Sequence, residues 1–265
     1  MTSLPFFQVD AFANAPFTGN PAAVMPLDDW LDDATLLAIA AENNLSETAF
    51  TVPTPDDPEA GYALRWFTPT VEVKLCGHAT LASGHVLMTD ASIGSDIRFR
   101  TRHAGVLTVS RGAQDYALSL PAWDMQPRDL SPWAAALGGD VLETRWRDGG
   151  YALFRYDDEA AVRALAPDMQ ALRDAGDIMF IATAPGDDSD IVSRVFVPGA
   201  GVDEDPVTGS AHAMLTPYWA ARLDKARISA VQASARGGRL DCLLHDDRAI
   251  LGGACRTVIE GRFSL

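Results

Sequence analysis

The chain contains an internal repeat, and this repeat constrains the fold more than any other feature. RWFTP at 65–69 is followed, eight residues after its proline, by GHATLASGHVL, and RVFVP at 194–198 is followed, eleven residues after its proline, by GSAHAMLTPYWA. Each half therefore carries a strand, a proline, an acidic loop, a glycine and a helix rich in small and apolar residues. The repeat predicts two domains of similar fold.

The first repeated helix has almost no polar face, and the second carries a wide apolar stripe. Because such a helix must be buried, and short strands flank it, we expect each domain to be a mostly antiparallel sheet curled into a barrel around its helix. The predicted class is α+β, with a pseudo-twofold axis between the domains. The first domain is expected to span 1–120, completed by the C-terminal strand at about 252–265, and the second 121–251. Pro217 is expected to kink or end the second helix.

Composition argues against several kinds of partner. The chain has 265 residues, of which 48% are hydrophobic, and a formal net charge of −15 with no cluster of Lys and Arg, so nucleic acid and anionic membranes are not expected partners. No stretch reaches the roughly 20 apolar residues of a membrane span. The start MTSLPFFQVD lacks the pattern of a signal peptide. We therefore expect a cytoplasmic protein whose three cysteines are reduced.

Glycines open both repeated helices and predict binding sites for an anion. Gly77 and Gly209 let a ligand approach the backbone closely, and the free N–H groups and positive dipole end of a helix start favour negative charge. Two such ends facing one cleft would hold a carboxylate or an enolate-like charge. The alternative is that both are ordinary turn glycines, with His78 and Ser210 as N-caps.

Glu47 follows a predicted helix. The segment LDDATLLAIAAENN has apolar residues at helical spacing, with Asp32 or Asp33 able to cap its start and Asn43–Asn44 suited to a left-handed stop. The helix is expected to end just before Leu45, so Glu47 opens the next strand and can enter a cleft from a rigid base. Partial burial would suit this carboxylate to taking and returning a proton. A solvated glutamate at a strand edge is the alternative.

Five segments of the chain, taken in order, resemble the phenazine-biosynthesis PhzF-like family. They are FQVDAFANAPFTGNPAAV, NNLSETAF, WFTPTVEVKLCGHATLASGHVL, EDPVTGSAHA and QASARGGR. The resemblance covers essentially the whole chain, and the family is similar in fold to diaminopimelate epimerase. It implies cofactor-free isomerase chemistry in a cleft between two domains, and usually a homodimer.

The resemblance also implies which residues form the site. The family's central acid/base falls on Glu47 of the SET motif, with His78 and Asp205 as expected catalytic partners. His78 could pass or hold a proton, or merely cap its helix. Asp205 could bind a substrate amine, orient His78, or merely open a turn before Pro206. The expected substrate-binding residues are Asn20, Ser46, Cys76, Gly77, Gly209 and Ser210.

Cysteine and metal chemistry are not expected. The epimerase relatives use two facing thiols, whereas here Thr208 precedes Gly209, so Cys76 is expected to line the pocket. No His-Glu-x-x-His or paired Cys-x-x-Cys pattern is present, so we expect no metal, and the resemblance implies that there is no cofactor. SARGGR lacks the spacing of a phosphate loop and is expected to form a hairpin turn.

The residues favour a cofactor-independent isomerase that acts on a small substrate with a carboxylate and an acidic C–H. Glu47 would remove a proton from carbon and return it elsewhere in the conjugated system. Dihydro-hydroxyanthranilate is the substrate of the family's namesake, but the resemblance does not assign it to this chain. Two alternatives stay open: an amino-acid racemase or epimerase, which would depend on Cys76, and a non-catalytic protein that binds an anionic metabolite.

Overall fold

A computed structural model describes residues 3–113 and 115–265 of the chain. Contacts between residues divide the chain into two compact units. The N-terminal unit contains the described residues up to Leu120 together with Leu251–Leu265, and the C-terminal unit contains Pro121–Ile250. Within the described ranges, no helix combines the length and apolarity that a membrane span requires.

The N-terminal unit contains a long sheet and two helices. Its strands are β1 Ser3–Ala11, β2 Asn20–Pro26, β3 Glu47–Pro53, β4 Tyr62–Phe67, β5 Glu72–Val73, β6 Asp96–Thr101, β7 Val106–Arg111, β8 Tyr116–Pro121 and β18 Cys255–Ser264. Its helices are α1 Asp33–Asn43 and α2 Gly77–Leu87. The β2–β3 and β4–β6 pairs are parallel, and the β1–β18, β1–β2, β3–β4, β4–β5, β6–β7 and β7–β8 pairs are antiparallel.

The C-terminal unit repeats this plan. Its strands are β9 Gln126–Pro127, β10 Glu143–Arg147, β11 Tyr151–Arg155, β12 Met179–Pro185, β13 Ile191–Val197, β14 Val202–Asp205, β15 Arg227–Gln232, β16 Gly238–His245 and β17 Arg248–Gly253, the last of which runs past the boundary of the unit. Its helices are α3 Ser131–Leu137, α4 Glu159–Arg163, α5 Met169–Asp174 and α6 Gly209–Leu223.

The order of pairing is the same in both units. The parallel pair β11–β12, the hairpin β12–β13, the short strand β14, the parallel pair β13–β15 and the hairpin β15–β16 follow the sequence of pairings from β2 to β7. The predicted α+β class with two similar domains is confirmed. The pseudo-twofold relation between them stays a prediction.

Helices α2 and α6 are buried because their side chains are small or apolar. In α2 nearly every residue is buried, and the helix packs against β1, β2, β3, β7 and β18. Gly84 allows this approach, since a Cβ there would lie 2.5 Å from the Val109 side chain. In α6, ten residues are buried, and the helix packs against β15 and β16. The expected enclosure of both helices by strands therefore follows from their composition.

Helix α6 does not end at Pro217, so that part of the expectation is wrong, and the kink stays a prediction. Helix α6 runs through Pro217 to Leu223. A proline has no N–H for the carbonyl four residues earlier, which here belongs to Ala213. That carbonyl instead accepts a hydrogen bond from the Trp123 amide at 3.1 Å. The amide of Trp123, in the loop between β8 and β9, thus satisfies the carbonyl that proline leaves free, and the helix continues.

Candidate active site

The end of α1 places Glu47 at the first position of β3. The Asp32 side chain accepts a hydrogen bond from the Thr35 amide at 2.9 Å, which caps the start of the helix. Asn44 ends it in the left-handed conformation, with a φ of 47°. Both predicted signals of this helix are confirmed. Strand β3 then begins at Glu47, which pairs with Ala22 of the parallel strand β2.

The first turn of α2 carries His78 directly beside Glu47. The helix begins at Gly77, as the sequence predicts, and Cys76 occupies the N-cap position without a capping side-chain bond. His78 is therefore not an N-cap, and that alternative is wrong. His78 Nε2 lies 3.0 Å from Glu47 Oε2. The side chain of His78 is 5% exposed and that of Glu47 is 18% exposed, although Glu47 Oε2, the oxygen that faces the ring, is itself buried.

Asn20 and Ser46 hold the other side of the His78 ring. The Ser46 hydroxyl donates to Asn20 Oδ1 at 3.3 Å, which leaves Asn20 Nδ2 facing His78 Nδ1 at 3.2 Å. When the ring is neutral, this arrangement makes Nδ1 the acceptor and places the ring proton on Nε2, beside Glu47, whereas the imidazolium carries a proton on both nitrogens. Cys76 Sγ lies 3.5 Å from the same Nδ1.

Burial and neighbouring charge set the protonation of this cluster. Burial alone lowers the pKa of His78, but Cys76 and Glu47 outweigh it, so the pKa lies well above the usual range. Burial, reinforced by the nearby Glu47 carboxylate, raises the pKa of the Cys76 thiol to about 11. The thiol is therefore neutral at physiological pH, and the carboxylate and imidazole form the pair that can exchange a proton.

The same three side chains could hold a metal ion. Glu47, Cys76 and His78 each offer one donor atom, and these atoms lie within 4.8 Å of one another. A carboxylate, a thiolate and an imidazole suit Zn²⁺, although the thiol must lose its proton first. Sequence spacing does not reveal this group because Glu47 lies on a different element, 29 positions before Cys76. The expectation that the protein uses no metal stays a prediction.

In the C-terminal unit, the start of α6 carries the other expected site residues. Strand β14 ends at Asp205, whose Oδ2 accepts a hydrogen bond from the Thr208 hydroxyl at 2.5 Å. Thr208 is the N-cap, and the helix begins at the buried Gly209. Ser210 is thus the second helical residue and not the N-cap, and its hydroxyl lies 3.8 Å from Met179 Sδ.

Sequence reasoning missed Gln232 and His212 as parts of this second group. Gln232 is fully buried at the end of β15, and its amide bonds to Asp205 and Thr208. His212 is also fully buried, and its Nδ1 donates to the Thr208 carbonyl at 2.8 Å. The QASARGGR motif contained a signal for Gln232, but its partners lie 24 or more residues away. No pattern in the sequence shows such contacts.

The structure thus places the expected residues in two groups. Those in the N-terminal unit that contact one another or adjoin the same helix start are Asn20, Ser46, Glu47, Cys76, Gly77 and His78. Those at the start of α6 are Asp205, Gly209 and Ser210. The cleft expected to unite the two groups stays a prediction.

Comparisons with known proteins identify the family of this chain. The family model described as Phenazine biosynthesis-like protein matches residues 9–261. The chain belongs to this family. A curated relative from Pseudomonas aeruginosa, named an uncharacterized isomerase, is 48% identical over 267 residues that cover 99% of each chain.

Solved structures and further curated relatives agree with this family assignment or share the fold. A crystal structure of a PhzF family protein from Enterococcus faecalis is 43% identical, covers 100% of both chains and superposes with a TM-score of 0.92. A hydroxyproline epimerase from Agrobacterium vitis is 12% identical and superposes with a TM-score of 0.62 over 98% of this chain and 92% of its own, which shows a shared fold alone. Relatives 41–48% identical along the chain are named isomerases, and this chain is an isomerase of the family.

Proposed function

We propose that this phenazine biosynthesis-like protein is a cofactor-independent isomerase that moves a proton between carbons of a small carboxylate. One observation carries the proposal: the partly exposed Glu47 carboxylate lies 3.0 Å from the buried His78 ring at the start of α2. A carboxylate on a strand end, beside an imidazole that can take up or release a proton, suits a general acid/base. Glu47 takes a proton from carbon, the bonding electrons move into the conjugated system, and the same carboxyl returns the proton at another carbon.

The difference in burial between His78 and Glu47 supports separate roles for these two side chains. His78 is surrounded by Asn20, Cys76 and Glu47, and its ring is almost fully buried. Glu47 retains an exposed fraction of 18% through which a substrate carbon can approach. We therefore assign the proton transfer at carbon to Glu47. His78 holds the carboxylate in place.

The helix starts support a substrate that carries a carboxylate. The first amides of α2 and α6 have no acceptor within their own helices, and the helix dipoles add partial positive charge there. Gly77 and Gly209 occupy the first helical positions, so these amides are not covered by a side chain at that residue. We assign Gly77, Gly209 and Ser210 to the substrate carboxylate and to the charge that develops on the substrate, and Asp205 to a substrate amine.

A thiol-dependent racemase is the weaker alternative. With a thiol pKa of about 11, Cys76 holds little thiolate near neutrality. The N-cap of α6, which corresponds to Cys76, is Thr208 and offers no second thiol. The cytoplasmic location and the homodimer stay predictions alongside this proposal.

Deuterium incorporation tests the proposal and separates an isomerase from a non-catalytic binder. The protein is incubated in D₂O with a panel of unsaturated and amino carboxylates that includes dihydro-hydroxyanthranilate, and carbon-bound deuterium is followed by NMR and mass spectrometry. Wild type should introduce deuterium into at least one member. Glu47→Gln keeps the shape of the side chain but removes the base, so the rate should fall about 10²–10⁴-fold.

The matched control is Glu42→Gln, which removes an exposed carboxylate near the end of α1 in the same unit. Its exchange rate should stay within about twofold of wild type, because a solvated carboxylate on the helix surface has no part in the chemistry. Equal rates for Glu47→Gln and Glu42→Gln would remove Glu47 from the mechanism. A protein that binds panel members but neither isomerises them nor introduces deuterium would be a binder.

A further inference from the structure

Gln232 occupies an unusual place for a polar side chain. It is the last residue of β15 and is fully buried. A primary amide without partners in such a position would be strongly destabilising, yet each polar atom of this amide has one. Its Oε1 accepts from the Thr208 amide at 2.9 Å, and its Nε2 donates to the Asp205 carbonyl at 2.7 Å and to the Thr208 hydroxyl at 3.1 Å.

Thr208 is consequently held at every polar atom. Its amide and hydroxyl contact Gln232, and its hydroxyl also donates to the Asp205 carboxylate. Its carbonyl accepts from His212 Nδ1 at 2.8 Å and from the His212 amide at 3.2 Å. Thr208, Gln232 and His212 are all buried, so water does not compete for these bonds.

A second contact from the same hairpin fixes the other side of the loop. The Ser234 hydroxyl donates to the Pro206 carbonyl at 2.8 Å, and the Gly237 amide donates to the Ser234 hydroxyl at 3.1 Å. The last residue of β15 and the turn that follows it therefore hold both the Pro206 and the Thr208 ends of the short loop before α6. This is a structural use for the QAS residues of the QASARGGR motif, which the proposed chemistry leaves without a role.

We propose that Gln232 is a positioning residue, which locks residues 205–208 so that the Asp205 carboxylate and the first amides of α6 are preorganised for the substrate. The inference rests on the proposed function, since it presumes that Asp205, Gly209 and Ser210 contact substrate. Gln232 acts through Thr208 and does not touch the substrate itself. Preorganised donors bind an anion without first having to be ordered, so the lock contributes mainly to substrate affinity.

Amide hydrogen exchange tests the lock independently of catalysis. Gln232→Met keeps the length of the side chain but removes all three hydrogen bonds, and Thr208→Val removes the hydroxyl that links Gln232 to Asp205. Both should speed exchange at residues 205–212 about tenfold or more, while exchange in the rest of the C-terminal unit stays as in wild type. Thr208→Ser keeps the hydroxyl and should restore the wild-type exchange pattern.

The kinetic arm uses whichever panel carboxylate the wild-type enzyme deuterates. Gln232→Met and Thr208→Val should raise KM about tenfold while kcat changes less than about threefold, because the lock serves binding in the ground state and the transition state alike. The control is Gln126→Glu on β9, an exposed glutamine of the same unit, which should alter neither exchange nor KM.

The two failures have different signatures. Unchanged exchange at residues 205–212 in both Gln232→Met and Thr208→Val overturns the lock, as does faster exchange spread evenly through the C-terminal unit. Failure of the proposed function appears instead as intact deuterium incorporation in Glu47→Gln. If Gln232→Met does not fold, Thr208→Val and its Thr208→Ser rescue decide the question.

Discussion

The two units carry the same helix at the same point in the same strand order, but its first turn is surrounded by different chemistry in each. In the N-terminal unit, His78 in that turn faces the Glu47 carboxylate at 3.0 Å. In the C-terminal unit, the N-cap Thr208 contacts the neutral amide of Gln232 and the Asp205 carboxylate, and no imidazole faces that carboxylate in the contacts described above. Duplication thus fixes where a helix start lies and leaves its side chains free to diverge. In the proposed function, one start serves proton transfer and the other serves binding.

Each unit contains an equivalent arginine–glutamate ion pair before its helix start. We call each pair, together with the phenylalanine ring beside its arginine, the frame of that unit. Arg65 on β4 donates two hydrogen bonds of 2.8 Å to Glu72 on β5, and its guanidinium lies 4.9 Å from the centre of the Phe67 ring. Arg194 on β13 donates bonds of 2.8 and 2.9 Å to Glu204 on β14 and lies 4.9 Å from the Phe196 ring. Each pair ties a core strand to the short strand before the helix. This part of the repeat has not diverged.

Breaking the two frames gives the largest expected loss of stability. Arg65→Met and Arg194→Met leave Glu72 and Glu204 without their main partners in partly buried sites, which should lower the free energy of unfolding by about 3–5 kcal/mol each. Urea unfolding measures both. The control is Arg102→Met, because Arg102 also contacts Glu72 but is 48% exposed, and its loss should cost less than about 1 kcal/mol.

If Arg65→Met lowered the free energy of unfolding as little as Arg102→Met, the frame would contribute little to stability. A large loss for one arginine and a negligible loss for the other would show that the frame has diverged along with the helix starts. Arg65 also donates to Asp33, whereas Arg194 also donates to the Leu165 carbonyl at 2.7 Å, so the two losses need not be identical.

The sequence predicts this frame in part, and the reason lies in spacing. RWFTP and RVFVP align directly, so the arginine and phenylalanine of each frame are visible in the repeat. Glu72 and Glu204 are not, because they lie seven and ten residues after their arginines, on short strands that follow loops of different length. The cap and stop of α1 and the glycine starts of α2 and α6 are local signals, and all were predictable.

Features that depend on distant partners were not predictable. Helix α6 continues through Pro217 because the amide of Trp123, about ninety positions away, serves the carbonyl of Ala213. From the sequence, Gln232 is an ordinary polar residue at the end of a strand. Its hydrogen bonds to Thr208 and Asp205 appear only in the structure. Hydrogen bonds that satisfy a buried group leave no periodic trace, so propensity and spacing do not reveal them.

The histidines in the two helix starts should respond to pH in opposite directions. Burial lowers the pKa of His212 to about 4 from an ordinary value of 6.5. An unfolded chain therefore binds an extra proton between these values, and the stability present above pH 6.5 is lost as the pH falls toward 4. The shift corresponds to about 3 kcal/mol. His212→Thr copies Thr80, whose hydroxyl bonds the Cys76 carbonyl in α2, and should abolish this part of the pH dependence.

Urea unfolding of wild type and His212→Thr at pH 4.5 and pH 7 measures the effect, and the two proteins should differ less in stability at the lower pH.

The contribution of His78 to stability should depend on pH in the opposite direction. The pKa of His78 is raised in the folded protein. Its contribution to folding stability is therefore fully present below about pH 6.5 and is lost as the pH rises through the pKa of the folded state. His78→Asn should therefore cost most at pH 6 and progressively less in alkaline solution. Parallel pH profiles for the two variants would contradict this contrast.

The smallest expected effect concerns Cys76, at the N-cap position where the C-terminal unit has Thr208. Because burial raises the pKa of this thiol to about 11, Cys76→Ala should change the rate of deuterium incorporation less than about threefold. Loss of the sulfur contact with His78 should cost roughly 1 kcal/mol of stability. Cys242→Ala, which removes a buried thiol from β16 of the other unit, is the matched control and should show a similar loss of stability.

If Cys76→Ala instead lowered the rate of deuterium incorporation as much as Glu47→Gln, the thiol would take part in proton transfer. The N-terminal helix start would then carry two acid/base groups, in the manner of a racemase, and the division between a proton-transferring start and a binding start would have to be redrawn around Cys76.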